Sequence, residues 1–426
     1  MLSAPATSCT VHRKRERVAT CGICGNALCV DCVVHTAVGI KCRKCTGGAA
    51  ATPPTATPEA KVAEGDEGAG HDRRRWPVPV ALLGVLAVLV AGFALLKGGD
   101  DGSTTAASGG SEENAAAVTD RLADFQGAGG LKLGATLTIP KGVGATKAPG
   151  VVIVPGGATV DRNMLTTPTR QNDPLYEDLT KSLAEAGIVS LRYDMRGTGA
   201  SKLATGEGKS FEDLVVDARA GLDFLAQRRE TQGAPLGLVA YDAGGFVAMS
   251  LAAADPRVKG VVLLSTPGRP LVDVLAEDFI RAAPDAAQGQ ALAEAVRGAA
   301  AEVVATGQVP REEALPPSLR SVFPATEAAY LRGLFSFDPV GEARRVQVPT
   351  LVVRGGYDTS ITDVDLINLT SNLARGDQML VPLGTNTLTL PPGEEGALHD
   401  PSRHGMVRNP DALADINEWI KTRLRA

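Results

Sequence analysis

No cysteine occurs after Cys45 in this 426-residue chain. Everything beyond it can form no disulfide, so it suits an oxidising or a reducing compartment. Gly and Pro number 48 and 27 but follow no triplet period, which excludes a collagen-like fibre. A large positive balance is also missing. The net charge is −5, which argues against a chain that coats nucleic acid, and no nucleic-acid partner is expected. Finally, no charge of either sign lies between Trp76 and Leu96.

These absences divide the chain. The length suits two or three units, one of them large enough for a full core. Residues 1–75 hold 11 Lys+Arg against 7 Asp+Glu, a balance of +4, which leaves −9 of the total −5 for residues 76–426. All seven cysteines fall between Cys9 and Cys45. Residues 46–75 begin as an Ala/Pro/Thr/Glu-rich stretch with little to bury, end in Arg73, Arg74 and Arg75, and read as a disordered linker. Trp76 to Leu96 is 21 residues long. At about 1.5 Å per residue this spans a bilayer core of about 30 Å, so a transmembrane helix is expected. The three arginines precede it and Gly-Gly-Asp-Asp follows Lys97. The positive-inside rule therefore puts the N-terminus in the cytoplasm and the large C-terminal part outside. Gly84 and Gly92 are eight apart and make no close helix-pairing motif. Residues 97–118 form a second flexible spacer.

The N-terminal cysteines come in pairs: Cys9 with His12, Cys21 with Cys24, Cys29 with Cys32 and Cys42 with Cys45, each at a spacing of two intervening residues. Such a pair bends the chain so that two soft donors face one ion. Eight ligands suffice for two tetrahedral zinc ions, and a reducing cytoplasm keeps the thiolates available. With few apolar residues, the segment is expected to fold only with its metal. His35 is surplus to the ligand count, so a surface position is expected for it. Residues 9–45 resemble the B-box-like cross-brace zinc domains, including the short cytoplasmic Cys-rich domain that precedes some bacterial rhomboid-type membrane proteins. That resemblance implies that the first and third pairs bind one ion and the second and fourth the other. Closed four-ligand sites imply two structural zinc ions and no zinc catalysis. The domain is a candidate surface for a cytoplasmic protein partner, and Arg13, Lys14, Arg15 and Arg17 form its basic flank.

From residue 119 the pattern alternates short apolar runs with amphipathic stretches. Strands are expected at 151–154, 188–193, 236–241, 258–264, 350–354 and 378–383, with helices near 174–186, 211–229, 245–254, 363–374 and 411–424. This alternation implies a doubly wound, mostly parallel α/β sheet with helices on both faces. Residues 269–345, helical and Ala/Leu-rich, interrupt it as a lid.

Within that frame the strand 236–241 runs into Asp242-Ala-Gly-Gly and a helix, the setting of a nucleophile elbow with Asp242 where G-x-S-x-G has serine. Val151–Val154 leads to Pro155-Gly156-Gly157, and the strand 350–354 leads to Asp358. Residues 119–426 resemble the α/β-hydrolases, in particular their serine aminopeptidase and acyl-esterase-like branch. The resemblance implies that Asp242 is nucleophile or base, that Asp358 is the supporting acid, and that the backbone N–H groups of Gly157 and Ala243 form the oxyanion hole.

Three positions depart from that family. The nucleophile serine is Asp242, the oxyanion His-Gly is Pro155-Gly156, and the Asn-His pair after the last strand is Asn386-Thr387. Threonine accepts no proton near neutral pH, so the usual relay is missing. Relatives of this fold with an aspartate nucleophile form an alkyl ester that a His-activated water cleaves. Here Ala243 stands where dehalogenases carry a halide-binding Trp. The lid holds one tyrosine, Tyr330, where epoxide hydrolases use two. His399 and His404 are the remaining histidines of the domain, in a polar loop beyond the usual position, with His404 the candidate replacement base.

Two readings stay open. One is a single-pass, membrane-anchored hydrolase acting outside the cytoplasm on a small ester or acyl compound. The other is a catalytically inactive pseudohydrolase, a ligand-binding, scaffold or sensor module coupled to the cytoplasmic zinc domain.

Overall fold

The computed structural model describes residues 10–12, 19–20, 27–28, 32–36 and 39–42, and then 118–143, 147–157, 161–164, 174–382, 384–390 and 408–424. The expected transmembrane stretch 76–96 and most of its two flanking spacers lie outside these residues, as do His399 and His404. Among the described residues no helix is long and apolar enough to cross a membrane.

The chain divides into two compact units, residues 1–81 and 82–426. In the first, β1 (Ala19–Thr20) pairs antiparallel with β2 (Ala27–Leu28), and β3 (Val33–Thr36) with β4 (Gly39–Cys42).

The second unit is built on one eight-stranded sheet. It opens with a long antiparallel pair, β5 (Val118–Gln126) and β6 (Lys132–Pro140). There follow β7 (Gly150–Val154), α1 (Leu175–Glu185), β8 (Val189–Tyr193), α2 (Phe211–Ala226), β9 (Leu236–Tyr241), α3 (Gly244–Ala254) and β10 (Val258–Leu264). Next come α4 (Leu271–Ala282), α5 (Ala286–Thr306), α6 (Ala328–Ser336) and α7 (Pro339–Ala343). The chain then returns to the sheet through β11 (Thr350–Gly355), α8 (Asp363–Asn372) and β12 (Gly376–Val381), and α9 (Pro410–Arg423) closes the unit.

The strand order is β12-β11-β10-β9-β7-β8-β6-β5, parallel from β8 to β12 and antiparallel at the β6 and β5 edge. The central strands are buried along their whole length because both faces are covered. β7 and β9 therefore read as continuous apolar runs, whereas β8 (VSLRY) alternates and buries Ser190 and Arg192 on one face. α3 shows the same logic in a helix. It is apolar on every side (GGFVAMSLAAA) and lies buried among β9, β10 and α2. Helix α2 begins at a capping box, in which the Ser210 side chain accepts from the Asp213 N–H and Asp213 reciprocates.

Helices α4 to α7 occupy the stretch between β10 and β11. Their apolar residues Leu275, Phe279, Val296, Tyr330 and Leu331 join the sheet's own core. Helix α4 buries Leu271, Val274, Leu275, Asp278 and Phe279, one stripe at helical spacing with a single charge set into it.

Candidate active site

The site lies at the carboxyl ends of the parallel strands, where open α/β sheets form their crevice. Three adjacent strands deliver the central residues in order. Asp242 follows β9, Ser265 follows β10, and Asp358 lies just past β11. Neighbouring strands are about 4.8 Å apart, so Asp242 and Asp358 leave strands about 10 Å apart and can converge through their side chains.

Asp242 sits at φ 51°, in the left-handed region. Its N–H donates to the Leu264 carbonyl at 2.9 Å, and its carbonyl accepts from the Gly245 N–H at 2.9 Å as α3 begins. The turn is tight because its flanks are small. A Cβ on Gly156 would strike the Tyr241 carbonyl, and one on Gly244 would lie 2.7 Å from the Pro155 carbonyl oxygen. Among the described residues, non-glycine positive φ occurs at Met164, Asp242, Ser265 and Leu388. The last three flank this one site, and each such conformation costs about 1–3 kcal/mol unless its surroundings impose it.

Burial pushes the Asp242 carboxyl up to about 7. The negative charges of Asp358 and Asp278 add to the rise, and a hydrogen bond from the Ala243 N–H opposes it. Part of the residue's surface stays accessible, yet the carboxyl itself is surrounded by protein. Asp358 is 5% exposed. Burial pushes it up to about 6 against hydrogen bonds from Ile361 and Ser360, the nearby Ser265 hydroxyl and the positive charge of Arg354. Its Oδ1 accepts from the Ser360 N–H at 3.1 Å and the Ile361 N–H at 2.9 Å. Its Oδ2 is buried without a hydrogen-bond partner, since the Ser265 hydroxyl donates instead to the Asn386 carbonyl at 2.8 Å.

Gly157 and the Asn386-Thr387 segment are described near this pair, while His404 lies outside the described residues. Gly157, at φ 89°, follows the turn after β7, and its carbonyl accepts from the Tyr330 hydroxyl of α6 at 3.1 Å. Burial raises the Tyr330 hydroxyl pKa, and the charge of Asp242 adds to the effect. The Gly156 N–H donates to the Tyr176 hydroxyl of α1 at 3.1 Å. Asn386 and Thr387 stand beside the elbow. The Asn386 amide donates to the Tyr241 hydroxyl at 3.1 Å, and the Thr387 carbonyl accepts from Arg408 at 2.5 Å. Arg408 in turn pairs with the buried Asp178 of α1 at 3.1 Å.

Four contributors were not singled out in the sequence: Asp278, Ser265, Tyr176 and the Asp178–Arg408 pair. Asp278 did leave a signal, as the one charge on the apolar stripe of α4. The others left none, because each acts through contacts distant in sequence.

The described part of the N-terminal unit brings together two of the eight expected zinc ligands. His12 Nδ1 and Cys32 Sγ lie 3.2 Å apart. Two ligands on one tetrahedral zinc, at about 2.0 Å for nitrogen and 2.3 Å for sulfur, would be about 3.5 Å apart, so this contact fits the ion. Cys9, Cys21, Cys24, Cys29 and Cys45 lie outside the described residues, and of Cys42 only the backbone is described. Among the described residues no group of three or more His, Cys, Asp or Glu is placed to hold a metal.

A family model for serine aminopeptidases (S33) matches residues 174–311, from the start of α1 through the turn after β9 and into the helices that follow β10. The second unit has the α/β-hydrolase fold. Among curated proteins, Esterase EstD of Thermotoga maritima is 26% identical over 229 residues, 54% of this chain and 50% of that protein. The uncharacterized protein PA2218 of Pseudomonas aeruginosa is 30% identical over 149 residues, 35% of this chain and 37% of that one. The chain thus spans half or less of the length of these curated relatives. Among solved structures, PA2218 covers 73% of this chain and 95% of its own, at 16% identity and a TM-score of 0.49. The Butyrivibrio proteoclasticus protein Est1E, solved with ferulic acid bound, covers 71% and 99%, at 15% identity and a TM-score of 0.47. The assignment of the fold rests on the sheet and the family match, not on these distant likenesses.

Proposed function

We propose that this chain is a single-pass, membrane-anchored hydrolase whose catalytic domain lies outside the cytoplasm and acts on a small ester or acyl compound. The observation that carries the proposal is the elbow, where Asp242 sits at positive φ with its buried carboxyl close enough to the buried Asp358 to feel its charge. The Asp242 carboxylate attacks the acyl carbon, protonated His404 gives its proton to the departing alkoxide, and a mixed anhydride remains on Asp242. Water then cleaves the anhydride, regenerating the carboxylate and releasing the acid. His404 takes the proton of that water and Asp358 supports the histidine, offering the unpartnered Oδ2 as its acceptor. The N–H groups of Gly157 and Ala243 stabilise the oxyanion, and the bond from Ala243 to the Asp242 carboxyl suits the second step. Two structural zinc ions, held by Cys9, His12, Cys21, Cys24, Cys29, Cys32, Cys42 and Cys45, would order the cytoplasmic domain for a protein partner.

One set of contacts favours the pseudohydrolase reading. Thr387 fills the position of the usual base, Tyr176 takes the Gly156 N–H, and Ala243 already bonds to a carboxylate. The test is turnover by the full chain of chromogenic short-chain and medium-chain esters, beside Asp242→Asn and His404→Ala variants. Turnover abolished by Asp242→Asn and by His404→Ala supports the hydrolase with its relocated base. Equal rates in all three chains favour the ligand-binding module.

A further inference from the structure

The parallel strands all start at one end of the sheet, opposite the carboxyl ends that carry Asp242 and Asp358, and that starting end is basic. Arg375 stands just before β12, Arg344 before β11, Lys259 at the start of β10, Arg229 before β9 and Lys147 before β7. Lys141 joins them from the end of β6, which runs the opposite way. All six are exposed. In the strand order from β12 to β6, at about 4.8 Å per strand, they line an edge about 30 Å wide.

Carboxylates at the same end are answered within the protein. Asp223 and Asp255 pair with Arg257, Glu230 with Arg121, Glu342 with Arg345 and Asp377 with Arg423. Glu185, which closes α1, is the exception. Among the described residues the six bases meet no carboxylate. Lys259 donates to the Pro256 carbonyl and Arg344 to the Asn372 side-chain oxygen. This local excess belongs to a stretch, residues 76–426, whose net charge is −9. Helix macrodipoles favour bases at helix C-termini and account for Arg229, Arg344 and Arg375. They do not account for Lys141 and Lys147, which lie between two strands, or for Lys259, which lies inside one.

The chain enters the unit at this same end. Val118, the first residue of β5, pairs with Pro140, next to Lys141. Residues 97–117, 21 in number, separate it from Leu96. A flexible spacer of that length spans about 25 Å, close to the width of the basic edge. A tethered surface needs little attraction of its own, because the tether keeps its local concentration high.

We propose that this basic end docks on an anionic bilayer surface, with the crevice turned away from the lipid so that its ligand arrives from water. The tether in this proposal rests on the membrane-anchored reading. Clusters of about four to eight Lys/Arg beside a span are drawn to anionic headgroups, over roughly one Debye length.

The test reconstitutes the full chain into two bilayers, phosphatidylcholine alone and phosphatidylcholine with about one-third phosphatidylglycerol. Lysine acetylation by acetic anhydride is mapped in each by peptide mass spectrometry. Lys141, Lys147 and Lys259 are expected to react about threefold or more slowly on the anionic bilayer, whose surface potential holds the domain close and keeps nearby amines protonated. Lys202, exposed in the loop after β8 at the crevice end, is expected to react equally on both. Salt at about 1 M, where screening acts within about 3 Å, is expected to abolish the difference. Lys147→Glu with Arg229→Glu replaces two exposed residues and is expected to remove the protection of Lys141 and Lys259, while Lys202→Glu leaves it. Circular dichroism checks that both variants keep the fold, and labelling of the unaltered chain decides the matter without them.

Equal labelling of the three lysines on both bilayers, or protection of Lys202 as strong as theirs, overturns the proposal. If the chain resists an alkaline carbonate wash while its lysines label equally, the anchor stands and the docking surface falls. A chain stripped by that wash, yet protected on anionic vesicles, sinks the anchor and keeps the surface. Protection by soluble polyglutamate, with none from anionic lipid, assigns this end to an acidic protein and overturns the proposal as well.

Discussion

The Asn386 amide donates to the Tyr241 hydroxyl at 3.1 Å, which ties the segment after β12 to the residue just before the elbow. The Thr387 carbonyl is held by Arg408, the Asn409 N–H donates to the Leu388 carbonyl at 2.8 Å, and Thr389 bridges to Arg408. The resemblance to the α/β-hydrolases puts the missing base at Thr387, and these contacts hold the backbone of that segment.

This arrangement makes a gain of function predictable. Asp242→Ser alone is expected to give at most slow ester hydrolysis, since the hydroxyl has no base at the family's usual position. Adding Thr387→His supplies one on the backbone that Arg408 already positions. The double variant is expected to hydrolyse a chromogenic acetate about a hundredfold or more faster than Asp242→Ser, the range one general base contributes. Thr387 is buried, so the imidazole must displace neighbours. Circular dichroism of the double variant therefore belongs beside the assay. A folded double variant with the rate of the single one would show that Thr387 does not stand where the base belongs.

Much of this site was legible from strand spacing together with the resemblance to the α/β-hydrolases. The strands 236–241 and 258–264 fall where their apolar runs end, because a parallel strand covered on both faces leaves an uninterrupted run between two turns. Asp242 and Asp358 followed from their places after two such strands. The antiparallel pair β5 and β6 was not anticipated. β5 carries Asp, Arg and Gln along an exposed edge and resembles a polar spacer until it is paired with β6. Ser265 and Tyr176 were hidden for a different reason. Their roles depend on strain and on contacts to Asn386 and Gly156, which no local pattern encodes.

Zinc content tests the N-terminal unit. The contact between His12 Nδ1 and Cys32 Sγ joins the first and third ligand pairs, which the cross-brace arrangement assigns to one ion. The purified full chain is expected to carry about two zinc ions, and His12→Ala and Cys32→Ser each about one, by elemental analysis. Chelation is expected to leave the unfolding transition of the hydrolase domain in place, because the two units are separately compact. A full chain without bound zinc, or variants that keep both ions, would refute the pairing.

A buried ion pair fastens the lid. Lys209, with its side chain 3% exposed, pairs with Glu327 at 2.9 Å and lies 4.8 Å over the Tyr330 ring. Burial lowers the lysine's pKa and Glu327 opposes that fall. Lys209→Met leaves a partly buried carboxylate without its partner and is expected to cost about 3 kcal/mol in urea unfolding. Adding Glu327→Gln is expected to recover at least about half of that loss, because the uncompensated charge goes with it. Purely additive losses would mean that the two residues do not act as a pair.

The acidity of the elbow has a stability signature. Burial, and then the charges of Asp358 and Asp278, raise the Asp242 carboxyl from 3.8 to about 7. The folded state thus holds this proton more tightly than the unfolded chain does. The associated stability is fully present below the unfolded value of 3.8 and is lost as pH rises through about 7, with Asp358 losing its share through about 6. Asp242→Asn removes the ionisation while keeping a side chain that tolerates positive φ. It is expected to stabilise the chain by on the order of 2 kcal/mol at about pH 8 and to change it little at about pH 4, by urea unfolding at both values. Any change in backbone strain contributes equally at the two pH values, so it drops out of the comparison. The same gain at both pH values would therefore assign the effect to strain and remove the case for a carboxyl poised near neutrality.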